Sequence, residues 1–492
     1  MYGFYDFFNQ LIIKGILVYA IVICGSYALL AFISSSAISK YLKRNSYIDY
    51  GSILRSTFAP SISVIAPAYN EALTIIQNVR SLLSLQYSNF EVIIVNDGSK
   101  DNSLEKLIDA YELEAVKYVF HEYLATQPIK NIYKSKNPAY HRLLVIDKEN
   151  GGKADALNVG MNISSCKIIA CIDVDCIMEE TALLKIVKPF MEDTKRVVAV
   201  GGVISIANSC EVDKGRLIKI NLPKKFLPRV QVLEYFRAFL MGRMAWSRLD
   251  GLLLVSGAFG LFDKEIALKA GGYNKNTVGE DMELVVRMRR YMIENNIPYT
   301  VMYVPDPLCW TEAPDNLKVL GRQRSRWARG TIETLFMHRG LFFNPSYGFL
   351  GMVSYPYWFF FEFLAPWVES AGIVYFIILV LSGQAYWPLF LTLSSMLFAF
   401  SLVISLSALL FEERSFHQYR KRSDIFKLLL TAILEPVFYH PLTVYWSLRG
   451  NYQLLMGMKN WGEMTRIGFG TLKKKSNKAN ISEVSTNPHL SV

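Results

Sequence analysis

The segment IIACIDVDC (168–176) sets Asp173 and Asp175 directly behind five apolar residues that read as the inside of a β-sheet. Two carboxylates at i and i+2 at a strand end project toward one side, where they repel unless a hard cation joins them. A solvated turn with unremarkable aspartates is the plainer reading of that pair alone. A second acidic pair, Glu280 and Asp281, opens the helical pattern EDMELVVRMRRYM behind Gly279, a residue that lets the chain turn tightly. Acidic residues at a helix start also complement its dipole, so this pair is not diagnostic by itself. In QRSRW (323–327), Arg326 is suited to clamp anionic oxygens, Trp327 to stack on a ring, and Gln323 to hydrogen-bond beside them. Arg and Trp, Arg324 included, are equally what an interfacial helix presents to lipid head groups.

Positioning these groups requires an α/β sheet. ISVIAPAY (62–69), FEVIIVNDGS (90–99), LLVIDK (143–148) and IIACI (168–172) read as strands. NEALTIIQNVRSLLSL (70–85), DNSLEKLIDAY (101–111) and GKADALNVGMNIS (152–164) read as the helices between them. Alternation of this kind predicts a parallel sheet whose strand ends, Tyr69, Asp97, Lys148 and Asp173, share one edge. Ligands bind at that edge in open α/β sheets. Tyr69, Asn70 and Glu71, Asp97 and Gly98, Lys153 and Asp155 therefore join Asp173 and Asp175 as candidates. Each has a plain alternative: Glu71 as a first-turn carboxylate, Asp97 and Gly98 as an ordinary turn, Lys153 as an exposed helix lysine. PAYNEA lacks the glycines of a dinucleotide fold, and NGGKADAL has Asp147 and Ala154 where a phosphate loop needs Gly and a hydroxyl.

Composition narrows the setting. The 492 residues are 52% hydrophobic and 19% charged, and the apolar surplus lies near the ends. Gly15–Ile33 carries no charge and is long enough to span a bilayer; Lys40, Lys43 and Arg44 place its far end in the cytoplasm. Residues 346–383 and 386–411 read as further membrane segments. A third, 425–448, holds Glu435, Pro436, His440 and Pro441 and is expected to be kinked, re-entrant or packed on other helices. The basic loop EERSFHQYRKRSD and the tail's Lys473, Lys474 and Lys475 both favour the cytoplasm, which one crossing between them cannot satisfy. Six scattered cysteines and six histidines without metal-ligand spacing exclude zinc and fit a reducing compartment. Beside membrane segments, the net charge of +11 points to anionic lipid rather than nucleic acid. FLPRVQVLEYFRAFLMGRMAWSRL (226–249) reads as an interfacial helix, and the tail from Lys473 as disordered.

The ordered set PAYNE, NDGS, KENGGKADALN, DVD, GED and QRSRW, spread over about residues 60–335, resembles the family 2 membrane glycosyltransferases. That group includes synthases of cellulose, chitin, hyaluronan and poly-N-acetylglucosamine. The resemblance implies a GT-A-type α/β nucleotide-sugar-binding domain, with α-helical transmembrane segments around it. It also implies a UDP-sugar donor, Mg²⁺ or Mn²⁺ held by Asp175 with Asp173 nearer the nucleotide, and inversion at the anomeric carbon. Tyr69, Glu71, Asp97 and Lys153 match positions that cradle the uracil and ribose, and Asp281, beside Glu280, matches the base. VSGAFGLF resembles a segment lining the acceptor site, which makes Gly257 and Phe259 candidates, with tight packing as the alternative.

The expected layout is an anchor and linker over 1–59, a GT-A domain with interfacial helices over 60–343, a membrane region over 344–450 and a cytoplasmic tail over 451–492. The expected activity is extension of a β-linked polysaccharide, of poly-N-acetylglucosamine type, with export through a multi-pass protein of the cell membrane and secretion subunits as partners. Transfer of one sugar to a lipid carrier, or a catalytically silent nucleotide-sugar-sensing scaffold, are the alternatives.

Overall fold

The computed structural model describes residues 2–46, 49–56 and 58–458; the tail lysines lie outside the described residues. Its centre is a sheet in which Leu143–Lys148, Phe90–Asp97, Ile62–Ala68 and Ile168–Ile172 run parallel in that spatial order. These strands are nearly continuous runs of Ile, Val and Ala because helices cover both faces, so few of their positions stay polar. Parallel registration brings Asp97 opposite Lys148 at one edge. The helix expected from residue 70 begins only at Ile75, since Asn70 takes a left-handed φ of 56°.

Beyond Ile168–Ile172 the sheet departs from the all-parallel expectation. Phe259–Asp263 runs antiparallel to it, followed by Arg196–Ile206 and Tyr299–Thr311. The helical segment 226–248 returns the chain over the ligand edge, so the next strand starts there and runs the opposite way. One consequence is that Ala258 lies beside Asp173, whose N–H donates to its carbonyl at 3.2 Å.

Among the described residues, three helices are long and apolar enough to cross a membrane: Gln10–Asn45, Leu350–Leu381 and Trp387–Ser415. The first belongs to a helix, Tyr2–Asn45, longer than the apolar stretch predicts, because its polar end docks on the sheet domain. Tyr41 donates to Asp306, and Arg44 pairs with Glu192 at 3.0 Å. Residues 425–448 form part of a broken pair, Arg422–Phe438 and His440–Leu455, bent by 50°. Segment 226–249, expected as an interfacial helix, meets the apolar helices through its basic residues. Arg237 pairs with Glu435 of the broken pair, and Arg229 donates to Thr431 at 2.9 Å, so the segment is packed between the sheet domain and the apolar helices.

Candidate active site

The lysine that follows Gly151 and Gly152 organises one side of the site. Gly152, at φ 87°, precedes helix Lys153–Ile163, so Lys153 leaves the first turn toward the sheet edge. Its ammonium lies 2.5 Å from Asp173 and 3.5 Å from Glu280, and it donates to the Gly257 carbonyl at 3.3 Å. Burial opposes the charged lysine, but Asp173 and Glu280 outweigh it and hold its pKa above the ordinary range. For Glu280, burial is the largest influence and raises the pKa; Lys153 and Arg326 oppose it while Asp281 adds to it.

Glu280 and Asp281 start helix Glu280–Glu294. Gly279, the residue before them, has a φ of −114°, which does not itself call for glycine. It is required for another reason. A Cβ there would stand 2.7 Å from the Cα of Gly330, on the helix that bears QRSRW. A Cβ on Gly257 would stand 2.7 Å from Asp281 Oδ2, so this glycine opens the space before the carboxylate. Asp281 Oδ1 accepts from Met282 N–H at 2.9 Å.

A cavity of about 1440 Å³ joins these groups to the apolar helices. Lys153, Asp173, Gly257, Glu280 and Asp281 line it, with Gln323, Arg324, Arg326 and Trp327 from helix Leu317–Met337. It also reaches Glu362 and Phe376 and, in the turn between two apolar helices, Gln384 and Tyr386. Within QRSRW, Arg324 does not meet the donor side. It pairs with Glu234 at 2.7 Å and lies 4.1 Å over the Trp327 ring, so it supports the tryptophan.

Other expected residues stand apart from the cavity lining. Phe259 is fully buried and opposite Ile172 in the sheet, so it is core and not an acceptor contact. The strand ends at Ile172, and Asp173 and Asp175 stand in the turn that follows, closed by Cys176 N–H on the Asp173 carbonyl at 3.0 Å. Alternation fails once extended backbone stops, which leaves Asp173 at the cavity and Asp175 buried, at 6% exposure. Tyr69 is 44% exposed at the sheet edge. Glu71 accepts from the Thr74 hydroxyl at 3.0 Å, and its N–H donates to Ser103 at 2.9 Å.

Asp97 is committed to the protein itself. Its carboxylate accepts from Lys148 Nζ at 2.6 Å and from the N–H groups of Gly151 and Gly152 at 2.9 and 2.8 Å. Lys148 is wholly buried and also meets Asp155 at 2.8 Å. This Asp97–Lys148–Asp155 chain shapes the loop that presents Lys153. Its signal was in the sequence, as Asp97 and Lys148 end adjacent parallel strands. Glu234 and Arg243 also line the cavity, and Arg243 was visible only as one basic residue of an apparently interfacial helix.

No group of three or more acidic, His or Cys side chains able to hold a metal occurs among the described residues. Asp173, in the cavity lining, is a carboxylate of the kind a hard cation takes, and Mg²⁺ commonly takes only one or two protein carboxylates, with phosphate oxygens and water completing its shell.

A family model described as "Glycosyltransferase like family 2" matches residues 59–330, and a "Chitin synthase" model matches 272–487. The chain is 27% identical over 274 residues to the poly-beta-1,6-N-acetyl-D-glucosamine synthase of Staphylococcus epidermidis (strain RP62A), covering 56% of this chain and 55% of that protein. It is 30% identical over 277 residues to the synthase of that name from Staphylococcus aureus (strain COL), with the same coverage. The matches thus span about half the length of these curated relatives. A solved structure, the mannosyltransferase PcManGT from Pyrobaculum calidifontis in complex with GDP-Man and Mn²⁺, superposes with a TM-score of 0.50 at 17% identity, over 84% of this chain and 99% of that one. This likeness bears on the fold, which is GT-A-like.

Proposed function

Because the chain belongs to the glycosyltransferase-like family 2, matched over more than half its length, we propose that it is an inverting membrane glycosyltransferase. It transfers sugar from a UDP-sugar to a growing β-linked polysaccharide of poly-N-acetylglucosamine type. The observation that carries this reading is the continuity of one cavity, from Lys153, Asp173 and Asp281 to Gln384 and Tyr386 between the apolar helices. Transfer of a single sugar needs no passage of that extent.

Asp281 takes the proton of the acceptor hydroxyl as its oxygen attacks the anomeric carbon, and the bond to the diphosphate breaks on the opposite face. Gly257 leaves room for the acceptor beside that carboxylate. Trp327 offers its ring to the terminal sugar, and Lys153 and Arg326 hold compensating positive charge near the departing diphosphate. Mg²⁺ or Mn²⁺, held by Asp173 and Asp175, would neutralise charge on that diphosphate. Tyr69 and Glu71, at the exposed sheet edge, are assigned to the nucleoside, with Asp97 acting through the loop it braces.

The chain is assigned to the cell membrane with its sheet domain in the cytoplasm. The bent pair Arg422–Phe438 and His440–Leu455 packs on cytoplasmic-domain helices through Arg237, Arg229 and Ser325. A bent pair that stays on that face leaves the chain before Arg422 and after Leu455 in one compartment, as the basic residues of both segments favour. Incubating purified protein in lipid with a panel of radiolabelled sugar nucleotides, then sizing the product, tests the reading. A ladder or smear from one UDP-sugar is expected; a single lipid-linked sugar, or no turnover of any donor, would refute it.

A further inference from the structure

Helix Leu317–Met337 carries Trp327 into the cavity and is clamped to helix His440–Leu455. Ser325 Oγ donates to the Trp446 carbonyl at 2.9 Å, and Gly321 and Gly450 allow contacts on Trp446 and on the Ser325 backbone that a Cβ would block. The helix bearing the aromatic ring and the last described helix thus share one packed interface. Tyr439 stands at the 50° bend immediately before that last helix.

Both ends of this assembly meet one carboxylate oxygen. Glu234 Oε2 accepts from Arg324 Nη2 at 2.7 Å and from the Tyr439 hydroxyl at 2.9 Å. Arg324 in turn lies 4.1 Å from the centroid of the Trp327 ring. A guanidinium stacks well only when its plane is fixed, and a charge-assisted hydrogen bond is what fixes it. One helical turn along, Arg237 pairs with Glu435, so segment 226–248 grips the bent pair at two points. Glu234 and Trp327 line the same cavity.

We propose that Glu234 is a positioning residue that sets the Trp327 platform through Arg324 and the membrane-helix bend through Tyr439. The acceptor end and the passage beyond it then stay in register from one addition to the next. The inference rests on the polymerase reading given above. Its consequence is for chain retention rather than chemistry, because the Glu234 carboxylate is held by Arg324 and Tyr439 and not by the Lys153–Asp173 pair or Asp281.

The test uses full-length protein in lipid and the variants Glu234→Gln, Tyr439→Phe and Arg324→Lys, which preserve size. Expected are a mean product length and an affinity for an added oligosaccharide primer each reduced about tenfold, the scale of one weakened charge-assisted bond. Donor KM should change by no more than about twofold, since the donor side is untouched. Variants that make product of normal length with normal primer KM overturn the inference, as does a fall in kcat alone. Wild-type protein that yields only a single-sugar product overturns the polymerase reading and this inference with it; wild-type polymer with unchanged variants overturns this inference alone.

Discussion

Gly279 and Gly330 meet backbone to backbone: a methyl group on Gly279 would come within 2.7 Å of the Gly330 Cα, and one on Gly330 within 2.7 Å of the Gly279 Cα. This contact sets the acidic pair Glu280 and Asp281 against the helix that carries Trp327. Gly330→Ala is therefore expected to force the two apart, destabilising the protein by about 1–3 kcal/mol as overpacking does. Because a displacement near 1 Å can cost about 100-fold in rate, transfer should fall by that order. Thermal unfolding in detergent and initial rates of UDP release check both; an alanine variant with wild-type rates would show that the contact is not needed.

Asp281→Asn keeps the shape of the side chain and removes its basicity. Transfer should drop by about 10²–10⁴-fold while UDP binding, read by calorimetry, is retained. Gly257→Ala should lower transfer in the same direction, because its new methyl would crowd Asp281 Oδ2. An active Asp281→Asn enzyme removes Asp281 from the assigned role.

Glu280 gives a pH signature. Burial raises its folded pKa above the unfolded value of about 4.3, so the folded state binds the proton more tightly. The stability it contributes is present below that unfolded value and is lost as pH rises through the folded pKa. Glu280→Gln should then raise the melting temperature relative to wild type more at about pH 8 than at about pH 4. A difference that is equal at both pH values, or larger in acid, contradicts the assignment.

Asp97→Ala removes the acceptor for two loop N–H groups and one partner of buried Lys148. Breaking a buried pair in this way costs about 3–5 kcal/mol. Donor affinity should fall along with stability, since the same loop presents Lys153. Adding Lys148→Met should recover part of the stability but not the donor affinity. Chemical denaturation and UDP calorimetry on the single and double variants separate the two effects.

Asp175→Ala should reduce the gain in UDP affinity on adding Mn²⁺, with little change in its absence. The comparison is two calorimetric titrations per protein. An unchanged Mn²⁺ effect would release Asp175 from the metal assignment.

The parallel half of the sheet was legible because local pattern dictates it. Runs such as VIIV and IIACI have no polar position, and strand ends in a βαβ series must share an edge. From that alone Lys153 and Asp173 could be brought near one another, and Glu280 and Asp281 joined them through a motif set in register. The long apolar helices followed equally from uninterrupted apolar length.

What the sequence could not decide depends on contacts between distant segments. Asp173 and Asp175 look equivalent until the turn after Ile172 sends one to the cavity and buries the other. Gly279 reads as a turn residue until Gly330 is brought against it, and Phe259 reads as acceptor-lining until antiparallel pairing with Ile172 commits it to the core. Arg237 and Glu435 lie 198 positions apart in the chain, and only packing makes them a pair. Periodicity and composition are local quantities, so the sequence determined the elements and their polarity. The direction in which each side chain finally points is set by whatever the tertiary fold packs beside it.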